Sequence, residues 1–283
     1  MQQEKGNFKG KTYIVTGAGG ALCSAMSLHL AQLGGNIVLI GRTESKLIPV
    51  SEQIKNLGGK VLTCTADVTS EKDLYRAKED ILSKFGGIDA LINGAGGNQA
   101  EAVTTLTEYS PLELEGNTEI RGFFNLNMQI FNSVLVTNTM GTVLPCFIFG
   151  KAIAAKGGGN IINIASMNSY RPLSRVPAYA MAKAGIVNFT QWLAAYLSPA
   201  NIRVNAIAPG FFPNERSRAI LYNPDGSYSR RGENVIAHTP MRRFGEPKEL
   251  LGALEWLLDD EKASYVTGIT IPIDGGFLSS SGV

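Results

Sequence analysis

The stretch TYIVTGAGGALCSAM, residues 12–26, decides the fold class of this chain. It begins with five strand-forming residues, continues through glycines at positions 17, 19 and 20, and ends in a run with helical character. A strand that passes through a glycine-rich turn into a helix is typical of the opening unit of a β-α-β fold. The free N–H groups and dipole of such a helix N-terminus also attract phosphate. Because glycines make strand-to-helix turns without any ligand, this turn alone does not establish a phosphate site.

The same alternation continues along the whole chain. Short, mostly continuous runs of β-branched and apolar residues predict strands that are covered on both faces. The predicted strands are residues 12–16, 36–40, 60–63, 89–93, 160–165, 202–206 and 269–273. The predicted helices are residues 21–33, 45–57, 71–84, 137–155, 178–197 and 248–258. This order predicts an α/β fold, in which residues 1–283 form a single doubly wound parallel-sheet (Rossmann) domain with helices on both faces.

Two long segments interrupt the alternation, and both follow predicted strands. Residues 97–136 separate a strand end from the next predicted helix, and residues 211–246 are polar and rich in Arg, Asn, Ser and Pro. Loops this long in a compact domain are usually functional or disordered. Open α/β sheets bind ligands beyond the carboxyl ends of their strands. We therefore expect residues 97–136 to be an enlarged pocket wall and residues 211–246 to be a substrate lid.

Composition excludes several classes of protein. With 283 residues, 44% hydrophobic and 18% charged, the chain can bury a sizeable core, and extended disorder is excluded. A net charge of +2 predicts neither a nucleic-acid nor a membrane partner. There is no uninterrupted apolar run of about 18 residues that would predict a spanning helix, and the polar N-terminus does not resemble a signal peptide. The three scattered cysteines predict a reduced, cytoplasmic compartment; they are Cys23, Cys64 and Cys146.

Four side chains between residues 138 and 183 form a candidate catalytic set. Tyr179 and Lys183 are four residues apart, so they share one face of a predicted helix. An isolated pair of this kind is usually an ordinary half-buried helix face. Here Ser166 ends the preceding strand, and Asn138 lies in the helix before that. In order and spacing, the four residues resemble the Asn-Ser-Tyr-Lys tetrad of the short-chain dehydrogenase/reductase family.

The residue types suit the reaction that this resemblance implies. Reduction of a ketone leaves an alkoxide that must be protonated, and the reverse reaction needs a base. A nearby Lys183 ammonium would lower the pKa of Tyr179 by about 1–3 units, which would make the phenol a usable base. We expect Tyr179 to be the acid/base, Lys183 to be its electrostatic partner and a contact of the nicotinamide ribose, and Ser166 to hold the substrate oxygen. The resemblance implies that Asn138 holds a water molecule that links Lys183 to solvent in a proton relay.

No metal is expected, because the hydride comes from the cofactor. His29 and His238 are also too few and too isolated to form a metal site.

Several turn motifs resemble the cofactor-binding motifs of the family. The usual TGxxxGxG turn lies at residues 16–23, but Ala21 and Cys23 replace its second and third glycines. Residues 67–68 resemble the pair that contacts adenine. Residues 93–96 resemble the NNAG motif with Gly94 in place of the second Asn, and residues 209–210 resemble the loop over the nicotinamide. The expected cofactor contacts are Gly17, Gly19, Gly20, Leu22, Arg42, Asp67, Val68, Asn93, Gly94, Ala95, Tyr179, Lys183, Pro209 and Gly210.

The end of the second strand bears on the choice between NAD and NADP. The family uses an acidic residue here to hold the ribose diol of NAD, but this chain has Gly41, followed by Arg42 and then Lys46. A cation without a carboxylate suits the 2′-phosphate of NADP. Alternatively, Arg42 is a solvated surface residue or stacks on adenine while NAD binds. NADP is therefore the expected cofactor, with NAD as the alternative.

Longer stretches resemble one subgroup of the family, the D-mannonate oxidoreductases (fructuronate reductases) of the short-chain type. These stretches are GALCSAM, NGAGGN, ASMNSYRPLSRVPAYAMAKAG, APGFFPNERSR and IAHTPMRRFGEPKELLGALEWL. The resemblance implies oxidation of D-mannonate to D-fructuronate by the oxidised cofactor. Arginines in the pocket segments suit a carboxylate, and asparagines suit sugar hydroxyls. The candidate substrate residues are Asn98, Asn168, Arg171, Asn214 and Arg216. The same segments also contain Arg175, Arg218, Arg230 and Arg231, and we expect a pair of the arginines at most to contact the ligand.

Two other functions remain open at this point. One is a gluconate 5-dehydrogenase or another sugar or polyol reductase of the same family. The other is a cofactor-sensing Rossmann protein without catalysis, which the presence of both Tyr179 and Lys183 disfavours. Members of the family usually form tetramers, and the predicted helix 178–197 carries Phe189, Trp192 and Tyr196, which are too apolar to lie fully exposed. We therefore expect a homotetramer.

Overall fold

The computed structural model describes residues 7–116 and 119–280, apart from the side chain of Arg216. Within these residues, seven parallel strands form one sheet in the order β3-β2-β1-β4-β5-β6-β7. The strands are β1 (Thr12–Thr16), β2 (Asn36–Gly41), β3 (Lys60–Thr65), β4 (Ala90–Asn93), β5 (Gly159–Ile164), β6 (Ile202–Pro209) and β7 (Thr270–Ile273). The helices are α1 (Ala21–Gln32), α2 (Glu44–Asn56), α3 (Glu71–Phe85), α4 (Met128–Ala155), α5 (Pro177–Leu197), α6 (Glu215–Leu221), α7 (Arg230–His238) and α8 (Leu251–Leu258).

Hydrophobic cores lie on both faces of the sheet. Along β1, Tyr13 and Val15 pack with α1, α2 and α8, whereas Ile14 packs on the opposite face with α3, α4 and α5. Successive side chains of a strand point to opposite faces, so strands covered on both sides are apolar throughout. The prediction of a single Rossmann-type α/β domain is confirmed. All of the predicted strands form, with small shifts at their ends.

Helix α4 begins at Met128, not at residue 137 as the sequence predicted. Asn127 caps the helix, because its side-chain oxygen accepts hydrogen bonds from the N–H groups of Gln129 (3.0 Å) and Ile130 (3.1 Å). The expected long wall is therefore a shorter loop with three 3-10 turns, followed by the first turns of α4. Helix α8 also differs from its prediction and begins at Leu251, after a 3-10 turn over Pro247–Leu250.

Among the described helices, α4 is long and apolar enough to cross a membrane, with a mean hydropathy of 1.4 in its most apolar window. However, 56% of that window is buried inside the protein. Ile148 and Phe149 are fully buried, and the helix packs against α3, α5, β4 and β5. The apolar composition of α4 is therefore explained by its central place in one of the helix layers.

Residues 211–246 contain two helices that the sequence did not predict. Leu221 of α6, Val235 of α7 and Phe244 are buried together in a small core of their own. Helix α6 has only seven residues and α7 has nine, which is too short for helical periodicity to stand out in a polar segment. The segment is therefore folded structure and not an irregular loop.

Candidate active site

The candidate site lies where β1 and β4 are neighbours and their connections leave for opposite faces of the sheet. Helix α1 follows β1 onto one face, whereas α4 follows β4 onto the other. A crevice opens at such a reversal of strand order, beyond the carboxyl ends of the strands. The turns that follow β1, β4 and β5 all end at this crevice.

The glycine turn after β1 leaves no room for side chains at two positions. Gly17 has a φ of +67°, and a Cβ on it would lie 2.8 Å from the Cα of Ala95. A Cβ on Gly19 would lie 2.7 Å from the Cβ of Lys46. No side chain caps α1 after Gly20. The turn therefore presents bare backbone and uncapped N–H groups, which is the arrangement that fits a pyrophosphate.

Thr16 joins this turn to the turn after β4. Its hydroxyl oxygen accepts hydrogen bonds from the N–H groups of Gly94 and Ala95, both at 3.1 Å. Thr16 was not among the predicted site residues, although it immediately precedes the first glycine. The signal for its role was its position at the end of a strand, where its side chain can reach the turn that follows a neighbouring strand.

A cavity of about 130 Å³ lies beside the glycine turn at the end of β2. It is lined by Gly17, Gly41, Arg42, Ala66, Asp67, Val68, Ala95, Gly96 and Thr137. The structure thus brings together five of the predicted cofactor residues, from the turns after β1, β2, β3 and β4: Gly17, Arg42, Asp67, Val68 and Ala95. A groove of this composition could receive the adenosine end of a dinucleotide.

Arg42 and Asp67 face each other across this cavity. The Arg42 guanidinium lies 3.9 Å from the Asp67 carboxylate, and its side chain is 69% exposed. Burial raises the pKa of Asp67, but hydrogen bonds from Thr69 and the charge of Arg42 outweigh it, so this pKa lies below its usual value. At this distance and exposure the ion pair is weak, so Arg42 remains available for an anionic ligand.

Two of the departures from the family motifs, Cys23 and Gly94, are in contact with each other. A Cβ on Gly94 would overlap the Sγ of Cys23. The larger residue in the first turn of α1 is therefore matched by the smaller residue after β4. Burial raises the pKa of the Cys23 thiol to about 12, so the thiol is protonated at neutral pH.

Ser166, Tyr179 and Lys183 come together beyond the end of β5. The hydroxyl of Ser166 lies close enough to the Tyr179 phenol to influence its pKa, and it accepts a hydrogen bond from the N–H of Asn168 at 3.2 Å. Lys183 is 4% exposed, and its Nζ lies 5.7 Å from the centre of the Tyr179 ring. This Nζ also donates to the carbonyl oxygen of Ile164 at 2.7 Å. A phenol, a hydroxyl and a buried ammonium are thus held side by side.

The pKa of Tyr179 differs in direction from the sequence expectation. Burial raises the pKa of Tyr179, and the nearby Ser166 hydroxyl opposes that rise only in part. Lys183 was expected to lower it, but burial also lowers the pKa of Lys183 itself, to about 8. Desolvation disfavours the charged form of both groups, and the lysine bonds to Ile164 in place of the phenol.

Lys183 should therefore make stability depend on pH in a defined direction. Its pKa is 10.5 when unfolded and about 8 when folded, so the unfolded chain binds more protons between these values. Stability then rises with pH over this range. The free energy of unfolding of the wild type, minus that of Lys183→Met, should increase by about 2 kcal/mol from pH 7 to pH 10. Urea denaturation at both pH values measures this difference. The exposed Lys55→Met is the control, for which the difference from the wild type should not change with pH. If the difference for Lys183→Met also stays constant between the two pH values, the expectation is contradicted.

Asn138 is fully buried and holds the turn after β4. Its Oδ1 accepts from the N–H of Gly97 (3.0 Å), and its Nδ2 donates to the carbonyl oxygens of Gly97 (2.7 Å) and Val134 (2.8 Å). A Cβ on Gly96 would lie 3.6 Å from the Nζ of Lys183. Asn138 therefore lies next to the catalytic candidates, but its side chain is fully engaged with the backbone. Its expected role in a proton relay stays a prediction.

Some predicted cofactor residues occupy positions other than the crevice wall. The side chain of Asn93 points into the sheet, where its Nδ2 donates to Asn163 Oδ1 at 2.9 Å and to Cys146 Sγ at 3.1 Å. Leu22 packs against the core beneath α1. Asn93 can therefore meet a ligand only through its backbone, because its side chain holds β4 and β5 together.

The loop after β6 passes close to the end of β7. The N–H of Gly210, which follows Pro209, donates to the carbonyl oxygen of Ile273 at 2.9 Å. A Cβ on Gly210 would lie 2.6 Å from the Cα of Asp274. A glycine is therefore required at position 210, because the backbone at Asp274 leaves no room for a side chain.

The predicted substrate residues also support local structure, and their contact with a substrate stays a prediction. Arg171 donates to the carbonyl oxygens of Phe277 (3.4 Å) and Ser280. Asn168 supports the Ser166 turn by accepting from the N–H of Leu173 at 2.8 Å.

The remaining substrate candidates are similar. Asn214 caps α6, and Asn98 accepts from the N–H of Gln99 at 3.0 Å. The side chain of Arg216 lies outside the described residues. Sequence alone did not reveal these local partners.

The described residues contain no group of three or more His, Cys, Asp or Glu side chains that could hold a metal ion. His29 pairs with Glu255 at 2.9 Å and thereby joins α1 to α8. His238 bonds through Nδ1 to the carbonyl oxygen of Asn234 at 2.8 Å within α7.

Comparison with known proteins assigns this arrangement to a family. A family model described as short chain dehydrogenase matches residues 11–221. A Bacillus subtilis (strain 168) relative named Uncharacterized oxidoreductase UxuB is 45% identical over 277 residues, which is 98% of each chain. The 2-dehydro-3-deoxy-D-gluconate 5-dehydrogenase of Escherichia coli (strain K12) is 30% identical over 274 residues, covering 96% of this chain and 97% of that protein.

A solved structure extends the likeness to three dimensions. It is a protein from Haemophilus influenza, provisionally described as a D-mannonate oxidoreductase, with bound NAD. It matches with a TM-score of 0.92 at 41% identity and covers 98% of both chains. The family model and the relatives together confirm the resemblance drawn from the sequence motifs. The chain belongs to the short-chain dehydrogenase/reductase family and is an NAD(P)-dependent oxidoreductase.

Proposed function

We propose that this enzyme interconverts a sugar acid and its ketone, and that the reaction is D-mannonate to D-fructuronate. The observation that carries the proposal is the clustering of Ser166, Tyr179 and the buried Lys183 beyond the end of β5. The name given to the Haemophilus protein, which is 41% identical, supports the choice of D-mannonate. The polar segments 97–127 and 211–246 would form the wall and lid of the substrate pocket.

The residues of the crevice fit a nicotinamide dinucleotide. Gly17, Gly19 and the N-terminus of α1 would hold the pyrophosphate, because Cβ atoms there would collide with neighbouring residues and the helix has no side-chain cap. Asp67 and Val68 line the cavity that would take the adenosine end. When bound, the cofactor supplies or accepts the hydride.

The chain's own residues would supply the proton and orient the substrate. Ser166 would hold the reacting oxygen of the substrate through its hydroxyl. Tyr179 would give a proton to that oxygen during reduction and remove it during oxidation. Lys183 would stabilise the phenolate that forms, and Asn138 would hold the Gly97 turn next to it. Because burial opposes ionisation of the phenol, the positive charge of Lys183 matters most in the phenolate state.

Product analysis tests this proposal. The purified protein is incubated with D-mannonate and oxidised cofactor, and the product is identified by mass spectrometry. We expect an acid with two hydrogen atoms fewer than the substrate, matching D-fructuronate. If D-gluconate is oxidised in parallel and D-mannonate is not, the enzyme is a gluconate 5-dehydrogenase or a related sugar reductase. Cofactor binding without conversion of any sugar acid or polyol would instead indicate a sensor protein.

We further propose that Arg42 selects NADP over NAD. Its exposed guanidinium and its long contact with Asp67 support this role. Arg42→Ala should lower kcat/KM for NADP by about tenfold or more, because a hydrogen bond to a charged group contributes roughly 1.5–3 kcal/mol. The value for NAD should change by no more than about threefold on the same reasoning. The exposed Arg76→Ala is the control, and an equal change for both cofactors would contradict the assignment.

We also propose a cytoplasmic homotetramer. The described cysteines are free and buried, which supports a reducing compartment. On α5, the rings of Phe189, Trp192 and Tyr196 stack in series, and Trp192 and Tyr196 are exposed. Exposed apolar surface of this kind marks an interface.

A charge placed in that interface should weaken the assembly. Trp192→Glu should shift the protein from tetramer to smaller species in light scattering, because the carboxylate would be desolvated between subunits. Tyr265→Glu, at a fully exposed position elsewhere, is the control. A wild type that is monomeric at micromolar concentration would contradict the proposal.

A further inference from the structure

Asn168 is a buried amide that the proposed mechanism does not use. It lies in the 3-10 turn Met167–Ser169, directly after Ser166, and is 6% exposed. Its Oδ1 accepts a hydrogen bond from the N–H of Leu173 at 2.8 Å. A backbone N–H can only donate, so this bond identifies which end of the amide is the oxygen. The Nδ2 group is left for another partner.

That partner is the hydroxyl of Ser166. The Nδ2 of Asn168 donates to the Ser166 Oγ at 3.5 Å, and the backbone N–H of Asn168 donates to the same oxygen at 3.2 Å. Both bonds are long, but they lie in a turn where Ser166 is also 6% exposed, so water competes with them little. One residue thus supplies two donors to one hydroxyl oxygen.

These two donors determine what the Ser166 hydroxyl can still do. A serine hydroxyl has two lone pairs and one proton. When both lone pairs accept from Asn168, the hydroxyl meets any further partner as a donor, with its proton directed away from Asn168. The reacting oxygen of the substrate needs a donor, because it carries negative charge as it passes between the alcohol and the ketone.

We propose that Asn168 is a positioning residue, which makes the Ser166 hydroxyl a fixed hydrogen-bond donor to the reacting oxygen of the substrate. Asn168 acts through Ser166 and does not itself touch the substrate. This role differs from the direct substrate contact that the sequence suggested for Asn168. The inference rests on the proposed function, because it takes the substrate oxygen as the partner of Ser166.

Two substitutions separate this role from a purely structural one. Asn168→Asp keeps the shape of the side chain and the bond from Leu173, but it places an acceptor where Nδ2 was, so the Ser166 proton turns toward position 168. Asn168→Leu has a similar size and loses both side-chain bonds. A structural role predicts that Asn168→Leu is at least as harmful as Asn168→Asp, whereas a positioning role predicts the reverse.

Initial rates of D-mannonate oxidation at saturating cofactor measure both effects. Asn168→Asp should lower kcat by about 10²-fold or more, as the loss of an oxyanion donor does, and should change KM by no more than about threefold. Asn168→Leu should lower kcat by about tenfold or less, because the serine proton is released but not reversed. The control is Asn56→Asp, which adds the same charge at an exposed position at the end of α2 and should behave as the wild type.

A Ser166→Ala background tests whether Asn168 acts through the serine. In that background, the fall in kcat caused by Asn168→Asp should be at least about tenfold smaller than in the wild type, because no hydroxyl remains to be turned. An equal fall in both backgrounds would overturn the proposal. A larger fall for Asn168→Leu than for Asn168→Asp would overturn it as well.

Neutron diffraction from crystals of the cofactor-bound wild type tests the orientation without any substrate. We expect the deuterium on Ser166 Oγ to point away from Asn168, and a deuterium on Asn168 Nδ2 to point toward that oxygen. A serine deuterium directed at Asn168, or an Asn168 Oδ1 that faces Ser166, would overturn the proposal. If the wild type does not oxidise D-mannonate, the proposed reaction fails, and the neutron result still decides whether Asn168 orients Ser166.

Discussion

Replacing Tyr179 by Phe is expected to remove turnover while leaving cofactor affinity within a few-fold of the wild type. The ring would still pack with Ala102, Val134 and Ala178, so the helix should keep its place. Only the hydroxyl beside Ser166 would be lost. General acid–base catalysis contributes roughly 10²–10⁴-fold to rate, and we expect kcat to fall by at least this amount.

Two measurements on the same preparation check this result. Initial rates give kcat, and calorimetry gives the dissociation constant of the cofactor. Tyr265→Phe is the matched control, because that side chain is fully exposed and far from any proposed role. Activity retained within about tenfold, well below the acid–base contribution, would contradict the assignment of Tyr179.

The second large effect concerns the contact between Gly94 and Cys23. Gly94→Ala should lower the free energy of unfolding by about 1–3 kcal/mol, because its Cβ would overlap the Cys23 Sγ. In a Cys23→Ala background the same change should cost much less. The next atoms are then the carbonyl oxygen of Thr16 at 3.1 Å and the Cγ1 of Ile164 at 3.6 Å.

A double-mutant cycle by urea denaturation measures this coupling. Gly252→Ala is the control, since a Cβ there would meet open space. We expect a coupling energy of about 1 kcal/mol or more between positions 23 and 94. Strict additivity would show that the departures at these two positions are unrelated.

The architecture could be predicted from the sequence because its signals are local. Strand β1 reads TYIVT, and each of its faces is buried, so its apolar run required no knowledge of its neighbours. The start of α4 was missed although its signal is local, because the Asn127 cap accepts hydrogen bonds only from the N–H groups of Gln129 and Ile130. Helices α6 and α7 were missed because they are short and polar.

The substrate side of the site could not be predicted in the same way. Arg171 and Arg175 lie four residues apart in one loop and look equivalent in sequence. Arg171 reaches the carbonyl oxygens of the C-terminal segment, whereas Arg175 turns back to Thr104 through a left-handed backbone. Which partner each arginine takes depends on contacts between distant segments. The catalytic tetrad, in contrast, could be recognised from the sequence. It is defined by the order and spacing of four residues along the chain: Asn138, Ser166, Tyr179 and Lys183.

The central claim is that this enzyme oxidises D-mannonate with a nicotinamide cofactor. The most direct test is the initial rate of cofactor reduction, followed by absorbance, with D-mannonate and saturating NADP or NAD. We predict steady turnover of D-mannonate, with a higher kcat/KM for NADP than for NAD. No reduction of either cofactor by D-mannonate, from a protein that binds them, would contradict the claim.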